Sequence, residues 1–397
     1  MKIESPLRNL FYCFLTLFLV LLTCAHAQYN IGSYMGLQSD ILGEQRVLVV
    51  GLPEGYDQTT ERYPVMYLLD GDFHFHHVTG LIDFLADLDL IPRIIVVGLQ
   101  NTDRDRDFTP TAIAERPTSG GADNFLTFLE DELFPAIDGQ FRTVPHRILV
   151  GHSLGGLFSI HAMLIKPELF NAHIIISPHV IYDDDFILLQ AGRLMETIGY
   201  SPKALYMAIG EEEREILNPS KRMNRIIKNN KYKDFRLKFE VLDNTDHGSV
   251  VHKAVYNGLE FIYSDWKFPL TGIQDGLQAI KFHYSNLSKR LGYTVIPQEV
   301  DLNEIGYALL NVKYNEKTLA IFQNKSKALA VFQYNMSLYP NSPNVYDSLG
   351  DAYVALGQDG LALENFQIAV QKGEELSDLR LPIFREHLNN QLAKMGK

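Results

Sequence analysis

Cysteine is nearly absent: Cys13 and Cys24 are the only two in 397 residues, and both fall within the first 27. From Gln28 onward there is none. That excludes disulfides, zinc–thiolate sites and a cysteine nucleophile from the rest of the chain, and it is compatible with an oxidising compartment. Positive charge is also in short supply. Lys and Arg number 36 against 48 Asp and Glu, a formal net charge of −12. Lys2, Arg8 and Glu4 together add a single positive charge, so the chain from Gln28 onward is more acidic still. Non-specific nucleic-acid binding relies on basic patches, and this balance argues against it. Beyond residue 27 no segment is long and apolar enough to cross a bilayer, which takes about 20 residues. Hydrophobic residues at 46% and charged residues at 21% are ordinary for a globular chain. The length suggests two domains and a substantial core.

Residues 1–27 form a unit of their own. Lys2 and Arg8 give a positive start, Leu10 to Thr23 is apolar and uncharged, and Ala25-His26-Ala27 is a small-x-small cleavage site before Gln28. This is the layout of a secretory signal peptide, so the chain is expected to be exported, periplasmic or secreted. The apolar run is too short for a retained anchor. Lipoprotein anchoring at Cys24 fits less well, because Thr23 stands where a small residue is usual.

From about residue 46 to 270, short apolar runs alternate with helical patterns. Arg46–Leu52, Val65–Leu69, Arg93–Leu99, Arg147–Val150, His173–Ile176, Ala204–Ile209 and Leu237–Leu242 read as strands, and Asn124–Ile137 and Leu154–Ile165 as helices. The alternation predicts an α/β domain with a largely parallel sheet, whose reactive residues sit at the carboxyl ends of strands. After about residue 271 strand signals vanish. Residues 271–300 read as a helical linker, and 301–397 as helical repeats. Tyr346, Leu349, Gly350, Tyr353, Ala362, Phe366 and Ala369 follow the tetratricopeptide pattern. Ala328, Phe332 and Pro340 repeat it 34 residues earlier, with Ile305-Gly306 answering Leu349-Gly350 across about ten inserted residues.

Gly151-His152-Ser153-Leu154-Gly155-Gly156 follows a strand and opens a helix, the context of a nucleophile elbow. Small flanking residues permit the sharp turn that thrusts the serine out at the sheet edge. Serine needs a base to take its proton. His247, in Asp243-Asn244-Thr245-Asp246-His247-Gly248 after the last strand, holds that place in chain order, with His252 the alternative inside a helix. A carboxylate that orients the imidazole is expected after Ala204–Ile209, where Glu211, Glu212 and Glu213 follow Gly210, and spacing alone does not choose among them. The oxyanion hole needs two backbone N–H groups. Leu154 supplies one, and Asp70-Gly71-Asp72 the other.

With these residues in place, 41–265 resembles the esterase D-type family of α/β-hydrolases. The matching landmarks are Tyr63–Gly71, Arg106-Asp107-Phe108-Thr109-Pro110, Gly151–Phe158, Ser177-Pro178 and Asp246-His247-Gly248. The resemblance implies an α/β-hydrolase fold over 28–270, followed by the all-α tetratricopeptide-like region. It implies a serine esterase with Ser153, His247 and Glu213 as catalytic residues, Asp72 and Leu154 as oxyanion donors, and no cofactor or metal. Esters of siderophores, glycans or short-chain acids are the implied substrates, with acyl transfer by the same triad as the alternative. The family's usual aromatic pair after Ser-Pro is replaced by His179-Val180-Ile181-Tyr182, which leaves the shape of the pocket open.

Two rival readings have residues behind them. His74, His76 and His77 cluster after a strand, as in a metal-dependent hydrolase, but no third-ligand motif accompanies them. The repeats suggest a non-catalytic interaction protein, or a protein partner or self-association for the enzyme, although two units are few for an extended groove.

Overall fold

Among the described residues, one sheet of eight strands organises the fold: β1 (Ser33–Ser39), β2 (Glu44–Gly51), β3 (Tyr63–Leu68), β4 (Ile95–Leu99), β5 (Thr143–His152), β6 (Ala172–Ile176), β7 (Ala204–Gly210) and β8 (Arg236–Leu242). The computed structural model describes residues 31–195, 204–211, 214–230, 235–310 and 324–396. The strand order is β1-β2-β4-β3-β5-β6-β7-β8. β1–β2 and β2–β4 pair antiparallel and every other pair is parallel. The seven strands expected from the apolar runs are all present within a few residues. β1 is the addition: its sequence SYMGLQS is mostly exposed and carries no branched aliphatic run, so nothing in it signals a strand.

The helices are α1 (Gly71–Asp87), α2 (Arg104–Phe108), α3 (Ala122–Phe128), α4 (Phe134–Gln140), α5 (Leu154–Ile165), α6 (Tyr182–Leu194), α7 (Arg214–Asn229), α8 (Val250–Ile262), α9 (Leu277–Leu291), α10 (Glu299–Leu310), α11 (Lys325–Leu338), α12 (Pro343–Ala355), α13 (Asp359–Glu375) and α14 (Leu381–Lys394). A π turn over Leu129–Leu133 joins α3 to α4. The central strands are buried on both faces, and successive residues feed opposite cores. Met66, Ile148 and Ile174 pack on one side with Val78 and Val255, while Tyr67, Leu149 and Ile175 pack on the other with Phe128 and Phe158. This is an α/β-hydrolase fold followed by a helical region.

The first of these cores does not stop at the sheet's helices. It runs on through Ile280 and Leu287 of α9 to Leu302, Phe332 and Leu349 in the C-terminal helices. Those helices approach closely where glycine allows it. A Cβ on Gly306 of α10 would lie 2.4 Å from the Phe332 ring of α11, and one on Gly350 of α12 would lie 2.3 Å from the Phe366 ring of α13. The inserted stretch between the repeats falls largely in 311–323, and the leader in 1–30, both outside the described residues.

Candidate active site

The carboxyl ends of the parallel strands gather the strained backbone. Asp70 after β3 has φ 54°, Ser153 after β5 has φ 58°, Ser177 after β6 has φ 41° and Asn244 after β8 has φ 55°. Non-glycine residues hold positive φ at a cost of about 1–3 kcal/mol each, and such residues cluster at functional sites. Ser153, with ψ −116°, stands between the last residue of β5 and the first of α5. A Cβ on Gly151 would lie 2.1 Å from the Gly155 carbonyl oxygen, which is why the turn needs glycine there. The Ser153 N–H donates to the Ile176 carbonyl at 3.0 Å, and its carbonyl accepts from the N–H of His179 at 3.1 Å.

Two helix N-termini converge on this turn. Leu154 is the first residue of α5, and Asp72 the second of α1. A Cβ on Gly155 would lie 3.4 Å from the Asp70 carboxylate, and one on Gly71 would lie 2.5 Å from the Gly98 backbone, so α1 starts hard against β4 and beside α5. Orphan N–H groups and the positive ends of both helix dipoles therefore favour negative charge here.

A polar strut braces the pair. The Arg104 guanidinium donates to both carboxylate oxygens of Asp70, Nε at 2.7 Å and Nη2 at 3.1 Å, and Nη2 also reaches the His152 carbonyl at 3.1 Å. Asn101 donates to Asp70 at 2.7 Å. No motif points to Arg104 or Asn101. The only hint in the sequence is their nearness to the Arg106–Pro110 landmark, and α2 is what swings Arg104 under the elbow.

His247 lies exposed in the loop from β8 to α8. Its carbonyl accepts a hydrogen bond from Nε2 of His152 at 2.8 Å, and the two rings are 4.5 Å apart. That bond fixes the proton of the neutral His152 ring on Nε2. Burial, and then the neighbouring His247 and His74, push the His152 pKa down to about 4. Asp246 ties the loop down: one carboxylate oxygen accepts from the N–H of Gly248 at 3.0 Å and from the N–H and hydroxyl of Ser249, both at 2.7 Å. Glu211 accepts from the Asn244 N–H at 3.0 Å, so this carboxylate is engaged by the loop backbone. Glu212 and Glu213 lie outside the described residues.

A cavity of about 730 Å³ opens beside the elbow. His152 and Gly248, the chain neighbours of Ser153 and His247, line it, together with Asp72, Phe73 and Arg104. So do His74, His77 and His252, which the tertiary structure brings together from α1 and α8. His76 points outward, exposed. On the other side of the turn, Val180 and Tyr182 are buried and His179 is half-buried. His179 has its pKa lowered by burial, then by Arg116 and His247.

Fold and site together define an α/β-hydrolase. The family described as "Putative esterase" matches residues 39–252, more than half of the chain, and the chain belongs to that family, which places it among carboxylic ester hydrolases. It is 33% identical over 175 residues to the ferri-bacillibactin esterase BesA of Bacillus subtilis, covering 38% of this chain and 61% of BesA, less than two thirds of that relative. It is 28% identical over 196 residues to the siderophore triacetylfusarinine C esterase of Aspergillus fumigatus, covering 43% of this chain and 67% of that protein. Among solved structures, an IroE-like serine hydrolase from Shewanella oneidensis is 28% identical with a TM-score of 0.65, over 76% of this chain and 99% of that one.

Proposed function

We propose that the protein is an exported serine esterase that cleaves siderophore esters through an acyl-enzyme on Ser153. The backbone of Ser153 carries this reading: a strained serine between strand and helix, beside two converging helix N-termini. His247 takes the Ser153 proton as the hydroxyl oxygen attacks the ester carbonyl. The N–H groups of Leu154 and Asp72 hold the oxyanion, each worth about 3 kcal/mol in comparable sites. His247 then protonates the leaving alcohol, and water resolves the acyl-enzyme. Glu213 orients the imidazole. The engagement of Glu211 with Asn244 supports leaving that role to a neighbour, and the family pattern favours Glu213.

The substrate class rests on the names of the relatives, two of which are siderophore esterases. A cavity of about 730 Å³ suits a molecule of that size, since small-molecule sites span roughly 300–1,000 Å³. Export rests on the charge, apolar core and Ala-x-Ala end of residues 1–27. Among the described residues no helix is long and apolar enough to cross a membrane. The paired contacts Gly306–Phe332 and Gly350–Phe366 support a tetratricopeptide-like reading of the C-terminal helices.

The test is covalent labelling with a fluorophosphonate probe, followed by turnover on siderophore, sugar-linked and short-chain esters. Wild type should label at Ser153 and prefer the siderophore esters. Ser153→Ala should lose both labelling and cleavage, and Glu213→Gln should lower turnover strongly without unfolding. Near-normal cleavage by Ser153→Ala would refute the mechanism. A preference for another ester would refute the substrate class alone.

A further inference from the structure

We propose that two copies of the chain pair antiparallel along β8, about a two-fold axis at Phe239, and so join their sheets into one. β8 ends the sheet. It is hydrogen-bonded to β7 on one side, and among the described residues no strand or loop pairs with its outer edge. Its residues are half-buried throughout, whereas those of β7 beside it are all buried. Such an edge presents a row of unpaired N–H and C=O groups, a template for another strand. Edges that stay free are usually blunted by proline, a bulge or outward charge. β8 contains no proline and runs beside β7 in unbroken register. Its two cations are already engaged. Arg236 turns to α8, donating to the Phe261 carbonyl at 2.6 Å and the Ile262 carbonyl at 3.1 Å. Lys238 pairs with Glu240 at 2.7 Å.

The side-chain pattern of β8 is complementary to itself. Phe235, Leu237 and Phe239 lie on the α7 side, where with Asn224, Ile227 and Lys228 they line a groove of about 490 Å³. Lys238 and Glu240 lie on the α8 side, where Glu240 also accepts from Asn257 at 3.2 Å. A two-fold axis perpendicular to the sheet keeps each face on its own side. Residues directly opposite must then share a face, so the axis passes through a residue. Opposite charges across an antiparallel pair stabilise it and like charges destabilise it. An axis at Leu237 sets Arg236 against Lys238, twice. One at Lys238 sets that lysine against its own mate, and one at Glu240 does the same with a carboxylate. Only the axis at Phe239 sets Lys238 against Glu240 of the second copy, twice, with no like pair. Together with the pairs inside each chain these charges make a square of alternating sign.

The other face agrees with this register. Phe239 meets its own mate and Leu237 meets Val241, the aromatic and branched pairs that favour neighbouring strands. Phe235, which shares its groove with Lys228, comes opposite the exposed Asp243 of the second copy. A second copy of this chain is thus the occupant that the charges select. β8 leads into the loop that carries His247, so the pairing would anchor the strand from which that loop is hung. It does not depend on the ester chemistry.

The experiment is sedimentation velocity of the full-length protein over a concentration series, with circular dichroism to confirm folding of each variant. Wild type should sediment as a dimer. Phe239→Lys, which sets two lysines face to face at the axis, and Lys238→Glu, which sets Glu against Glu twice, should each raise the dimer Kd about tenfold or more. The charge swap Lys238→Glu/Glu240→Lys should restore the dimer. Cross-linking locates the axis. In a background of Cys13→Ser and Cys24→Ser, which leaves no other cysteine, Phe239→Cys should join to its mate through a short bis-maleimide. Asp243→Cys should not, because its mate lies about 26 Å away along the paired strands. A monomeric wild type, a dimer undiminished by both Phe239→Lys and Lys238→Glu, or a folded charge swap that stays monomeric would overturn the proposal.

Discussion

At the scale of single residues, the strand-to-helix turn stores strain in Ser153 itself. Ser153 at φ 58° and ψ −116° occupies a region that glycine reaches freely and other residues do not. Two substitutions that both remove the hydroxyl should therefore differ in stability. Ser153→Gly relieves the strain and Ser153→Ala keeps it, so the glycine variant should be more stable by about 1 kcal/mol after its greater unfolded-state entropy is subtracted. Denaturant unfolding of the two inactive variants measures this directly. Equal stability would mean that the serine backbone relaxes in solution.

At the scale of elements, Arg104 on α2 links β3, β5 and the start of α1. Its guanidinium neutralises Asp70, whose carboxylate is almost buried, and braces the carbonyl of His152. Arg104→Gln would leave Asp70 without its charge partner. Removing one member of a fully buried pair costs 3–5 kcal/mol. Arg104 is about one third exposed, so a loss on the order of 2 kcal/mol is expected. Turnover should fall as well, because the positions of Asp72 and Leu154 both depend on this strut. A thermal shift under 1 °C with full activity would show that Asn101 and water hold Asp70 unaided. Nothing in the linear pattern warns of this role, because an arginine among alternating Asp and Arg residues reads as a solvated face, and only the fold places α2 beneath the elbow.

At the scale of the whole molecule, the C-terminal helices share the hydrolase core, and a histidine fastens the junction. His146 on β5 is fully buried, and its Nδ1 donates to the Leu291 carbonyl at the end of α9, at 2.8 Å. Burial lowers its pKa to about 4, against 6.5 for an exposed histidine. A depressed histidine contributes stability that is complete above pH 6.5 and is lost as the pH falls toward 4, where the folded state must also take up the proton. The full loss is on the order of 3 kcal/mol for this residue. Wild-type melting temperature should therefore fall across that window, and His146→Gln should flatten the decline while lowering stability at neutral pH. An identical pH profile in the variant would assign the acid sensitivity to other buried histidines, of which His173 is one.

Local chemistry was enough to read most of the frame from the sequence. Apolar runs bounded by Gly, Pro and Asp mark seven of the eight strands; the central ones are continuously hydrophobic because they are buried on both faces, while β8 at the edge interleaves Lys238 and Glu240 with apolar residues. The glycines around Ser153 mark the elbow, because no side chain fits within 2.1 Å of a carbonyl oxygen. Position after the last strand makes His247 the proposed base, with His252 on α8 the alternative that the sequence leaves open. Tertiary structure decided what depends on residues distant in the chain. β1 becomes a strand only because β2 offers it an edge. Arg104 meets Asp70 across 34 residues, and His252 meets His77 across 175. The lowered pKa values of His77 and His152 follow first from burial and then from neighbouring histidines, and neither can be read from a linear pattern, since desolvation is a property of the packed molecule.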